Sequence, residues 1–131
     1  MFVDASALTA ILADEGDAAI LLQRIEHHPL WLTSALAVWE TVVALARIFD
    51  RDIAAIEVDV HAFLQLMEID IMPVDGEIGH LALKAFDRYG KGRHPAALNF
   101  GDCFAYACAR QHGLPLLYKG EDFPQTDITA A

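Results

Sequence analysis

Four short apolar runs constrain this chain most: Met1 to Val3, Leu30 to Thr33, Ile69 to Val74 and Leu114 to Tyr118. Each is too short for a buried helix and is bounded by turn-forming or capping residues, so each reads as a strand. They are apolar almost throughout rather than alternating, which is the pattern of strands covered on both faces. Helical segments separate them, and strands joined by helical crossovers run parallel. The expectation is an α/β fold with a central, mainly parallel sheet. With 131 residues, 55% of them hydrophobic, the chain has material for one well-filled core, and residues 1–131 read as a single domain.

The helices follow from their caps and breaks. Asp4 or Ser6 caps a first helix to about Ala13, and Glu15-Gly16-Asp17 breaks it. A second runs from Ala18 to His27, stopped by His28-Pro29. Ser34 caps a third to about Phe49, and a fourth fits Ile53 to Met67. Asp75 caps a fifth to about Tyr89. After a loop from Gly90 to Gly101, Asp102 opens a sixth helix to His112, with Gly113 placed for a left-handed cap. Lys119 to Gln125 reads as a loop or single helical turn, and Thr126 to Ile128 as a last edge strand.

Composition excludes several functions. Acidic residues outnumber basic ones 19 to 9, for a formal charge of −10, which argues against nonspecific coating of nucleic acid. Four of the basic residues, Lys84, Arg88, Lys91 and Arg93, nevertheless cluster beside His94 and could hold a phosphate backbone. No apolar run is long enough to span a membrane, and Met1-Phe2-Val3-Asp4 lacks the basic start of a signal peptide. Cys103 and Cys108 form no Cys-x-x-Cys and read as buried thiols of a reducing, cytoplasmic setting. The histidines show no metal-ligand spacing, and Ser6 and Ser34 sit in no nucleophile elbow. Trp31, Trp39 and the phenylalanines read as core.

Three acids stand in unusual places. Asp4 ends the first strand. Asp102 begins a helix whose Ala105 to Ala109 stretch must be buried. Glu40 has Leu36, Ala37, Val43 and Ala44 at helical spacing, so it falls within an apolar stripe. Each has a plainer reading. Asp4 can be only a cap, Asn99 and Asp102 only a capping box, and Glu40 only the partner of Arg47 or Arg51 or a residue at the stripe's edge. Glu121 and Asp122 can be first-turn acids of a short helix. Together they say more. In an open parallel sheet, groups beyond the carboxyl ends of the strands share one edge. Two bare carboxylates about 4 Å apart repel by roughly 4 kcal/mol at an effective dielectric of 20, so such a cluster calls for a cation. Oxygen donors suit Mg²⁺ or Mn²⁺, which can activate a water at a phosphodiester.

Val3 to Leu8, Glu40, Tyr89-Gly90-Lys91-Gly92-Arg93-His94, Leu98-Asn99-Phe100-Gly101-Asp102-Cys103 and Leu116 to Phe123, in this order and spacing, resemble PIN-domain ribonucleases of the VapC toxin type. The resemblance implies a three-layer α/β/α sandwich and Mg²⁺- or Mn²⁺-dependent cleavage of RNA. It implies a homodimer neutralised by a VapB-like antitoxin, with operator DNA bound only through that partner. Asp4, Glu40 and Asp102 match the family's three central acids, and Asp122 or, in a loosely aligned loop, Glu121 matches the fourth. Ser6 matches a hydroxyl near the metal. Lys91 and Arg93 are candidate contacts to the RNA backbone, and Asn99 supports Asp102. Two function classes stand open: the metal-dependent endoribonuclease, and a catalytically silent protein that works through complex formation with its antitoxin.

Overall fold

The computed structural model describes residues 1–26 and 28–131. Strands β1 (Phe2–Val3), β2 (Leu32–Ser34), β3 (Asp70–Met72) and β4 (Leu116–Leu117) form one sheet in the order β3-β2-β1-β4, and every pairing is parallel. The strands are shorter than the apolar runs that announce them. Leu30 stays outside the ladder, and Ser34 ends β2 while also capping the next helix. Phe2 pairs with both Leu32 and Leu116, and Val3 with Leu117.

Successive strand side chains point to opposite faces, so a two-residue strand feeds both cores at once. Phe2, Met72 and Leu116 pack with α5 (Gly76–Tyr89) and α6 (Phe100–Gln111). Val3 and Leu117 pack on the other side with α1 (Ala5–Leu12), α2 (Ala18–Glu26), α3 (Ala35–Phe49) and α4 (Ile53–Leu66). The result is the expected three-layer α/β/α sandwich. Cys103 and Cys108 are free and buried in the α5–α6 core.

The caps are those the sequence announces. Asp4, Ser34 and Asp75 each accept hydrogen bonds from backbone N–H groups of the helix they open. Gly113 takes φ +61° just past the end of α6. His27, where the second helix was expected to end, lies outside the described residues.

Three expectations are corrected. Helix α6 starts two residues early, at Phe100, because Asn99 rather than Asp102 is its cap. The segment Thr126 to Ile128 is not a strand. A 3₁₀ turn at Phe123–Gln125 precedes it, the Thr126 hydroxyl donates to the Phe123 carbonyl and accepts from Ile128 N–H, and Asp127 is drawn onto Tyr106 and Arg88. Pairing resumes only as a single bridge between Leu116 and Ala130. Finally, Trp39 is 66% and Phe100 65% exposed, and Phe49 and Phe86 are exposed as well, so none of the four belongs to the core.

Candidate metal centre at the carboxyl ends of the strands

Strand β1 lies between β2 and β4 in the sheet, so the chain reverses its winding direction beside it. Crevices form at such points. Asp4 follows β1 directly, and its N–H donates to the Leu117 carbonyl of β4. Its carboxylate is almost fully buried. Oδ2 accepts from the Ser6 N–H at 2.9 Å and from the Ser6 hydroxyl at 2.5 Å. Burial nonetheless raises its pKa, and the two Ser6 bonds only partly offset that. Asp4 is therefore both the α1 cap and a strained charge. The two readings do not compete.

Asp102 is likewise double. Its Oδ2 accepts from Asn99 N–H at 2.8 Å, and Asn99 Oδ1 accepts from Asp102 N–H at 2.9 Å, a complete capping box. An acid in that setting should titrate low. Instead burial pushes it up to about 6. The Asn99 N–H opposes the rise, and the charges of Asp4 and Asp122 add to it.

Glu40 sits in the second turn of α3. Val43, one turn on, is exposed, so Glu40 lies at the edge of the apolar stripe and not within it. Arg51 is paired with Asp59 at 2.8 Å. Burial pushes the Glu40 carboxyl up to about 7, and the charges of Asp4 and Asp102 push the same way. Its carboxyl group lies over Gly101 in the first turn of α6.

The two acids of the loop after β4 have different electrostatic neighbours. Asp122 precedes the 3₁₀ turn without capping it, and its charge is felt by Asp102. Glu121 acts on Tyr118 instead. The loop carrying both is tied back to the site. Lys119 N–H donates to the Ser6 hydroxyl at 3.0 Å, and Lys119 Nζ pairs with Glu15 and, at 3.1 Å, with Asp17.

Four carboxylates from β1, α3, α6 and the loop after β4 thus form one chain of mutual repulsion. Hard oxygen donors of this kind fit Mg²⁺ or Mn²⁺. Among the described residues, no group of three or more Asp, Glu, His or Cys side chains stands close enough together to hold a metal ion as the chain is arranged here. Coulombic coupling reaches further than ligand contact, so the charges are felt across a gap that ligand contact does not bridge. Asp4 is turned to Ser6, and Asp102 to Asn99.

The sequence profile of the PIN domain family matches residues 1–128. A protein named Ribonuclease VapC from Mycolicibacterium smegmatis is 41% identical over 130 residues, covering 99% of this chain and 98% of its own. Ribonuclease VapC30 of Mycobacterium tuberculosis is 40% identical over 128 residues, covering 98% and 95%. The chain belongs to the VapC ribonucleases of the PIN domain family. The crystal structure of Mycobacterium tuberculosis VapC20, described as a toxin that cleaves the sarcin-ricin loop, superposes with a TM-score of 0.76 at 19% identity, covering 99% of this chain and 97% of that one. That likeness is one of fold.

In this PIN domain the basic cluster is less free than its sequence suggests. Arg88 pairs with Asp127, and Arg93 pairs with Asp87 at 2.9 Å and lies over the Phe86 ring. Lys91 is exposed in the loop before Asn99. An apolar groove of about 580 Å³ between α5 and α6, lined by Leu83, Phe86, Phe100 and Phe104 among others, has no acid in its lining.

Sequence reasoning missed two features. Lys119 was read only as loop, because its partners Glu15 and Asp17 lie a hundred residues away. Gly101 was read as the end of a loop, although a glycine in a helical first turn was the available signal.

Proposed function

We propose that this chain is a divalent-metal-dependent endoribonuclease, the toxin of a type II toxin–antitoxin pair, neutralised by a VapB-like antitoxin. The observation that carries the reading is the coupling of Asp4, Glu40, Asp102 and Asp122 across four separate elements. Asp4 and Asp102 supply the principal oxygen donors for Mg²⁺ or Mn²⁺, and Asp122 supports a second ion. A bound ion supplies an activated water and neutralises charge at the scissile phosphodiester. The Ser6 hydroxyl holds Asp4 in one rotamer. Asn99 does the same for Asp102, so neither donor must be ordered on binding.

Glu40 joins them at the ion, directly or through a water, and has a second task. Its carboxyl titrates near neutrality. It can therefore accept a proton at its carboxylate oxygen from the attacking water and release it again. Lys91 holds the RNA backbone, and Arg93 joins it by leaving Asp87.

The antitoxin is read from the same chemistry. A basic side chain reaching Asp4 or Asp102 would relieve their repulsion as a cation does. The chain's own surface offers apolar area for association: Leu66 is 81%, Leu83 70% and Val58 69% exposed. Two copies form a homodimer, and operator DNA is contacted only by the antitoxin.

The test is cleavage of RNA by the purified chain with and without Mg²⁺ or Mn²⁺. Asp4→Asn and Asp102→Asn should each abolish metal-dependent cleavage and leave the fold intact, since asparagine can still cap. If either variant keeps full activity, the mechanism is wrong. If the wild-type chain cuts no RNA, the silent binding protein is the better reading.

A further inference from the structure

We infer that Gly101 is a positioning residue: its missing side chain is what allows the Glu40 carboxylate to stand beside Asp4 and Asp102. The inference rests on the metal-site reading of those acids. A Cβ built on Gly101 would lie 2.6 Å from both Cδ and Oε2 of Glu40, with Oε1 closer still. Those three atoms of one carboxyl group are its nearest neighbours. A methyl group and that carboxyl cannot occupy the same place.

The backbone gives no other reason for glycine here. Gly101 is helical and is absent from the positive-φ positions, which include Gly92, Gly113 and Gly120. Glycine is a poor helix former, so the helix itself would prefer alanine. Other glycines make the contrast clear. At Gly76 and Gly79 of α5 an added Cβ would meet nothing within 4 Å. At Gly90 it would strike the Phe86 carbonyl oxygen, a backbone obstacle that cannot give way. At Gly101 the obstacle is the far end of a flexible side chain. Gly101→Ala can therefore fold, and what must move is Glu40.

Rotated off α6, the carboxylate leaves the neighbourhood in which it feels Asp4 and Asp102. Gly101 thus acts through Glu40, and its loss should resemble the loss of Glu40.

The experiment is a thermodynamic cycle on the full chain, read by titration with Mn²⁺ alone. Glycine 101 is changed to alanine in the wild-type and Glu40→Gln backgrounds, and metal-free unfolding is followed in parallel. Gly101→Ala should weaken Mn²⁺ binding by about 10- to 100-fold, the range typical of lost support around a metal. Its unfolding midpoint should be equal or higher. In the Glu40→Gln background the same change should leave Mn²⁺ binding within about twofold, because the effect passes through Glu40. A metal-free crystal structure of Gly101→Ala should show Glu40 turned away and α6 in place. Equal Mn²⁺ binding by wild type and Gly101→Ala overturns the inference alone. So does an equal loss in both backgrounds, or a Gly101→Ala chain that fails to fold. A wild-type chain that binds no Mn²⁺ overturns the metal-site reading and this inference with it.

Discussion

Replacing Glu40 by glutamine removes a charge and keeps the side chain's shape. In the folded chain the Glu40 carboxyl is raised from 4.5 to about 7 by burial and by the charges of Asp4 and Asp102. In the unfolded chain it returns to its ordinary value. A raised carboxyl means that the folded state holds its proton more tightly than the unfolded state. Below about pH 4.5 both states are protonated and the group costs nothing. As pH rises toward 7 the unfolded chain gives up the proton first, and folded stability falls. The full shift corresponds to ~3 kcal/mol at ~1.4 kcal/mol per tenfold, and solvent screening of a half-buried group reduces this to about 1–2 kcal/mol. For a chain of this size that is about 3–8 °C in the unfolding midpoint. Glu40→Gln should therefore be more stable than wild type at pH 7.5 in EDTA. The difference should vanish near pH 4.5. Saturating Mn²⁺ should reverse the order, because an ion bound about 100-fold above its dissociation constant adds ~2.7 kcal/mol to the chain that binds it. The assay is thermal denaturation by circular dichroism at the two pH values. A variant equal to or less stable than wild type at pH 7.5 would refute the electrostatic reasoning.

Other consequences are checked more simply. Metal-dependent activity should rise with pH through about 6 to 7, as Asp102 and Glu40 lose their protons, and a pH–rate profile that stays flat there contradicts their assignment. Leu116→Ala should cost about 2–5 kcal/mol by denaturant unfolding, since Leu116 is fully buried between β1 and the α5–α6 layer. Asp75→Ala should cost ~1 kcal/mol in the same assay, because its carboxylate accepts from both Glu77 and Ile78 N–H at 3.0 Å. Lys119→Met should release the loop after β4 from Glu15 and Asp17, and amide exchange should speed up at Gly120 and Glu121 with little change in α4.

The fold was legible because its signals are local. A strand that must be covered on both faces shows as an apolar run, and Ser34 and Asp75 mark helix starts within three residues of the N–H groups they serve. The last segment was misread because Asp127 is claimed by Tyr106 and Arg88, side chains from α6 and α5 that no local pattern reveals. Trp39 was misread because a large apolar residue is a core signal only when something covers it. At the site, Asp4, Glu40 and Asp102 stood out as charges where the pattern asks for caps or apolar residues. Asp122 was favoured over Glu121 from the resemblance alone, and the fold adds that its charge is felt by Asp102. Gly101 carries no side chain to attract notice, and its role exists only once α3 and α6 are packed.

The central claim is that Asp4, Glu40, Asp102 and Asp122 gather around a divalent cation. The most direct measurement is a crystal grown with Mn²⁺ and recorded at an energy where manganese scatters anomalously. The account predicts a peak in contact with carboxylate oxygens of both Asp4 and Asp102. A peak elsewhere on the molecule, or crystals that take up Mn²⁺ without engaging those two residues together, would contradict it.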